Sequence, residues 1–128
     1  MIVSLRCCLV VLVFASFSSL SYSQDSTWDN FSGNFLWDTT SPNWSGSTWT
    51  NGHGAIFGGT GTGTISINGP IDANSLNFQS SGYTLNGIGP INLVNGTSTQ
   101  TTGVVNVGTG ATATINVPII SGGTAKNR

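Results

Sequence analysis

The sequence predicts an all-β chain: a short right-handed parallel β-solenoid (β-helix) behind an aromatic-rich N-terminal cap, with an antiparallel β-sandwich as the alternative. Three observations predict it. Short apolar alternations recur between Gly58 and Gly123, among them Thr64-Ile65-Ser66-Ile67, Ser75-Leu76-Asn77-Phe78, Tyr83-Thr84-Leu85, Ile91-Asn92-Leu93, Val105-Asn106-Val107 and Thr114-Ile115-Asn116-Val117. Alternation of period two is the signature of a half-buried strand. Clusters of Gly, Asn, Ser and Thr separate these runs and read as turns. No window carries the i, i+3, i+4 apolar spacing of an amphipathic helix.

In chain order, residues 1–23 come first and read as a signal peptide. Arg6 supplies a positive start, Cys7 to Phe17 an apolar run, and Ser21-Tyr22-Ser23 the small residues of a cleavage site before Gln24. The apolar run falls short of the roughly 20 residues that span a bilayer. Export would remove Cys7 and Cys8, leaving no disulfide or thiol chemistry. A small secreted domain without staples must draw stability from elsewhere, and a continuous backbone ladder is the available source.

The remaining chain, about 105 residues, is enough for one domain. It carries Asp25, Asp29, Asp38 and Asp72 against Lys126 and Arg128 alone. Without a basic patch it has nothing to hold a phosphate backbone, so nucleic acid is not an expected partner. Residues 24–57 hold all four tryptophans and read as the cap. From Gly58 the composition turns Gly/Thr/Asn-rich, and 58–128 reads as β-solenoid repeats that look cut short.

Strand centres at Ile65, Leu76, Leu85, Leu93, Val105 and Ile115 lie 11, 9, 8, 12 and 10 residues apart. That spacing suits a sandwich, or a solenoid with two strands in each coil of about 20 residues. Diffuse turns, very short strands and uncharged outward Asn, Ser and Thr favour the solenoid. Coils stack about 4.8 Å apart, so an open end exposes unpaired strand edges through which chains would self-associate.

Candidate chemistry is sparse. Trp28, Trp37, Trp44 and Trp49 either stack on sugar rings, which needs an exposed face, or pack as a cap over the first coil. Their uneven spacing gives no single flat stripe on a strand and favours the cap. His53, the only histidine, sits after Asn51-Gly52 in a turn, with no acid at a motif spacing. Asp29, Asp38 and Asp72 lack the repeated pattern of a calcium-binding coil. The run Gly58-Gly59-Thr60-Gly61-Thr62-Gly63 has neither the Lys nor the helix of a nucleotide loop. A threonine ladder of the ice-binding type would need Thr-x-Thr in every coil, and later coils bring Asn and Ser. Asn30-Phe31-Ser32, Asn43-Trp44-Ser45 and Asn95-Gly96-Thr97 are formal glycosylation sequons that chance explains. The reading assigns no catalytic residue, no metal and no cofactor.

Trp37, Asn43-Trp44, Trp49-Thr50-Asn51-Gly52 and Ala55-Ile56-Phe57-Gly58-Gly59 together resemble the opening block of autotransporter-associated β-strand repeat proteins. The segments Ile71 to Phe78, Gly82 to Gly87 and Ala113-Thr114-Ile115 follow the same plan. The resemblance covers Trp28 to Gly123 and implies an exported, non-enzymatic, bacterial β-helical passenger, adhesin-like and displayed at the cell surface or released. Members of that family continue with many more repeats and often a C-terminal anchor, which this sequence does not contain. The expectation is therefore an extracellular or cell-surface structural protein (periplasm or outer membrane being the other locations), with self-association or a surface glycan as its partner. A small secreted carbohydrate-binding sandwich is the alternative.

Overall fold

The computed structural model describes residues 24–94 and 104–121, all of it strand, turn and loop. The leader expected at 1–23, the third sequon Asn95-Gly96-Thr97 and the cations Lys126 and Arg128 lie outside the described residues. Ten strands follow one another: β1 (Asp25–Thr27), β2 (Gly54–Phe57), β3 (Gly63–Ile67), β4 (Ile71–Ala73), β5 (Ser75–Phe78), β6 (Tyr83–Gly87), β7 (Ile91–Leu93), β8 (Val104–Val107), β9 (Ala113–Ile115) and β10 (Ile119–Ser121). They form three sheets, ordered β1-β2-β5-β8, β3-β6-β9 and β10-β7-β4. The chain visits the three sheets in turn, then returns to the first and repeats the circuit twice.

All seven strand pairings are parallel. The antiparallel sandwich is therefore corrected: its hairpins would pair sequence neighbours antiparallel, and here β2 to β7 each pair in parallel with the strand a full circuit later, while β1 lies parallel on β2. The expectation of two strands per circuit is corrected as well, because each circuit has three. The overlooked strand is β4, the third of the first circuit, and like β7 and β10 it is only three residues long. Its mark in the sequence is a proline in front of isoleucine, at Pro70-Ile71, Pro90-Ile91 and Pro118-Ile119. Proline has no N–H to give a ladder and is tolerated at a strand's first position. Its carbonyl still accepts: Ile71 N–H donates to Pro90 O at 3.0 Å and Ile91 N–H to Pro118 O at 2.9 Å.

Register stacks like on like inside the fold. Ala55, Leu76 and Val105 align, as do Phe57, Phe78 and Val107. Ile65, Leu85 and Ile115 form a second column, and Ile71, Ile91 and Ile119 a third. Phe57 and Phe78 stack with centroids 4.5 Å apart and planes 10° from parallel. In a parallel ladder, side chains at matched positions face the same way, so period-two alternation puts one apolar column inside per sheet position. Outward positions carry Thr64, Thr84 and Thr114 in one line, and Asn77 beside Asn106, whose amides are bonded at 3.2 Å.

Close approach between circuits decides where glycine must stand. Gly87 has φ +134°, and a Cβ there would meet the backbone of Ile67. The next corner is as tight, since a Cβ on Gly89 would meet the backbone of Gly69.

Candidate functional site

The aromatic cluster at the N-terminal end is the most elaborate side-chain assembly in the fold. Trp44 is its centre, with ring centroids 4.5 Å from Trp49, 4.8 Å from Trp37, 5.3 Å from Trp28 and 5.7 Å from Phe57. The rings meet tilted or edge to face, the arrangement that sets positive ring edges against negative faces. Trp28 Nε1 donates to Gly61 O at 2.9 Å, and Trp49 Nε1 donates to Asn51 Oδ1 at 3.2 Å. The Nε1 groups of Trp37 and Trp44 are buried without a conventional acceptor and lie within the ring cluster. All four tryptophans are between 0 and 2 % exposed. Glycan stacking on Trp28, Trp37, Trp44 or Trp49 needs an open ring face, and none has one. That alternative is corrected by burial: the rings have one another and Phe57 as partners.

A polar scaffold holds the cluster in place. Asn43, fully buried, accepts through Oδ1 from Ser32 N–H at 2.9 Å and Ser32 Oγ–H at 2.7 Å. Its amide donates to Asn34 Oδ1 at 2.7 Å and Leu36 O at 2.9 Å. With its amide engaged on both sides and shut off from solvent, Asn43 offers no glycosylation site. Asp29 accepts from Phe31 N–H and Gly46 N–H. Asp38 takes the N–H and hydroxyl groups of both Thr40 and Ser41. Burial works to raise the Asp38 pKa, but the hydrogen bonds from Ser41 and Thr40 together outweigh it and hold the carboxyl below its ordinary 3.8.

The cap also closes the first circuit's strand edges. β1 runs along β2, and beyond it Trp28 N–H donates to Ile56 O at 2.8 Å. On β3, Trp37 N–H donates to Ser66 O at 3.0 Å while Ser66 N–H donates to Phe35 O at 2.8 Å. On β4, Gly52 N–H donates to Asp72 O at 2.9 Å and Asp72 N–H to Asn51 Oδ1 at 3.1 Å. Each of the three sheets is thus terminated by a different piece of residues 25–52.

The glycine run at 58–63 belongs to this assembly. Gly59 N–H donates to Tyr83 Oη at 2.7 Å, and the same hydroxyl donates to Thr60 O at 2.8 Å. Burial pushes the Tyr83 phenol above its usual 10.0, against the opposing bond from Gly59. Gly61 has φ +61°, and a Cβ on it would press on Asn30 and Trp28. The run is a corner beneath the tryptophans.

His53 has a partner that its turn position did not reveal. Its Nδ1 lies 3.0 Å from Ser26 Oγ, across 27 residues of sequence. Ser26 is on β1 and His53 immediately precedes β2, so the parallel pairing brings them together. Sequence reasoning missed this pair and the Asn43 network because both depend on which loops the cap folds together. A shallow cleft of about 180 Å³, lined by Leu36, Trp37, Asp38, Ser66, Asn68 and Pro70 among others, opens where the cap meets the β3–β4 corner. Among the described residues no three of His, Cys, Asp and Glu gather, and Asp72 instead accepts from Asn92 Nδ2 at 2.8 Å. No described helix is long and apolar enough to cross a membrane, which says nothing of β-barrels. Comparison with family models, curated proteins and solved structures finds no match to this chain.

Proposed function

We propose that this chain is an exported, non-enzymatic structural protein, a short parallel β-solenoid of the autotransporter-passenger or adhesin-like kind, started by a tryptophan cap. The observation that carries the reading is the threefold circuit: β2-β3-β4, β5-β6-β7 and β8-β9-β10 lie on one another in the same sheet order. A repeat that contacts only its neighbours is the defining property of a solenoid. The cap supports the same reading, because a solenoid's first coil needs its apolar face and open edges covered. Asp29, Asp38, Asp72, Asn77, Asn92 and Asn106 are engaged in turns and ladders, as expected of a scaffold whose function lies in its surface and length.

Export is tested by recovering the chain from producing cells and reading its N-terminus. The reading expects Gln24 at the start of material that protease can reach on intact cells or that is found in the medium. A cytoplasmic chain that keeps residues 1–23 overturns it.

A further inference from the structure

The cleft of about 180 Å³ at the β3–β4 corner takes Leu36 and Asp38 from the cap, and Ser66, Asn68 and Pro70 from the first circuit. Ser66 also belongs to a row along the coil axis. It lies between the buried Ile65 and Ile67 and so faces outward, in register with Leu36 on one side and Asn86 on the other. Asn116 follows β9 and continues the row, its N–H on Leu85 O at 2.8 Å. Rungs of such a row stand about 4.8 Å apart. Outward polar groups are not used alike on the three sheets. Asn92 donates to Asp72 on one and Asn106 to Asn77 on another, but the side chains of Ser66, Asn68, Asn86 and Asn116 bond no other described residue. Asp38 Oδ1 takes three donors from Thr40 and Ser41, while Oδ2 takes the Ser41 hydroxyl at 3.1 Å and keeps room for another. Residues 95–103 and 122–128 attach to β7, β8 and β10 at a different corner, between the other pair of sheets. The cleft lies on the flank, so further coils would lengthen its row and leave it open.

We propose that this cleft and row bind a neutral glycan, with one sugar ring in the cleft and its chain extended along Ser66, Asn86 and Asn116. The proposal deepens the adhesin-like reading and rests on the solenoid register, not on export. A sugar hydroxyl both donates and accepts, and so do the serine hydroxyl and the asparagine amides that would meet it. Asp38 only accepts, which suits a hydroxyl donor and repels an anionic sugar. No Lys or Arg among the described residues stands ready to balance an anion. Leu36 and Pro70 give the ring's C–H face an apolar surface, so recognition does not need the buried indoles. The cleft is smaller than the roughly 300–1,000 Å³ of pockets that enclose a drug-sized ligand, and it suits a single ring. Successive rings of an extended, equatorially linked pyranose chain advance by nearly one rung, which carries the following hydroxyls over Asn86 and Asn116. An extended peptide would instead need a free strand edge, and the cap already uses that of β3.

Nuclear magnetic resonance of the isotope-labelled full chain, titrated with cellotetraose, chitotetraose and mannotetraose, reads the outcome. At least one of the three should shift the side-chain amides of Asn68 and Asn86 together with the N–H of Asp38 and Ser66, with a Kd on the order of 1 mM. Asn68→Ala and Asn86→Ala strand no bonded partner, and each should weaken binding about three- to tenfold while the fold stays intact. Maltotetraose, whose α-linked chain curls, should bind more weakly than the best of the three. No saturable shift with any of them, shifts confined to other surfaces, or binding indifferent to both alanines overturns the site. If the spectrum then keeps the dispersion of a β-fold, the solenoid stands without it. Equal binding of maltotetraose overturns the extended pose along the row. Collapsed dispersion would overturn the solenoid register and the site with it, whereas a binding-competent chain found in the cytoplasm would overturn export alone.

Discussion

At the scale of single residues, the cap concentrates the largest mutational costs. Trp44 touches three other indoles and Phe57, so Trp44→Ala opens a cavity that the surrounding rings cannot fill. A loss of about 3–5 kcal/mol is expected from the range for buried aromatic truncations. Urea unfolding followed by fluorescence measures it, and acrylamide should barely quench the unsubstituted chain. Asn43→Ala removes a fully buried side chain that satisfies four groups and should cost about 1–3 kcal/mol in the same assay, the lower part of the range because Ser32 and Asn34 are exposed and can turn to water. Asp38 gives the fold an acid limit. Its folded pKa lies below the unfolded 3.8, so its contribution is complete above pH 4 and is lost as pH falls through the folded value. Asp38→Asn should flatten the stability profile on that acid side, as a series of urea midpoints below pH 4 would show.

Strands and corners set the next scale. The period-two runs of β3, β5, β6, β7, β8 and β9 were legible because alternation survives in three to five residues. β4 was not placed, because Ile71-Asp72-Ala73 is too brief to stand out from the loop around it. Its only local sign is the Pro-Ile step shared with β7 and β10, a spacing that gains meaning once the circuits are superposed. Corners differ in what they tolerate. Gly87→Ala combines a positive φ with a collision against Ile67 and should lower the melting temperature by several degrees. Gly58→Ala meets nothing closer than Gln79 Oε1 at 3.6 Å and should leave it nearly unchanged. Parallel thermal melts of the two variants distinguish a crowded corner from a merely glycine-rich one.

Over the whole molecule, burial runs downhill from the cap to β10. Inward residues of the first two circuits are almost completely enclosed, while those of β8 and β10 are largely open. In dilute solution, amide exchange should therefore be slowest in β2, β3, β5 and β6 and fastest in β8 to β10, because local opening there exposes little new apolar surface. Uniform protection along the chain would contradict this gradient. The all-β character of the described residues, without a helix among them, followed from the sequence alone, since side-chain periodicity and turn residues are local properties. The tryptophans also read as a cap from their uneven spacing, but their mutual packing did not. Tertiary structure alone decided the three-sheet circuit, the parallel register, the Ser26–His53 contact and the closure of each first-circuit edge by a separate loop. Those are pairings between residues 20 or more apart, and strand alternation is the same whether the neighbour runs parallel or antiparallel. Only the backbone hydrogen bonds, made once the chain has closed on itself, choose between the two.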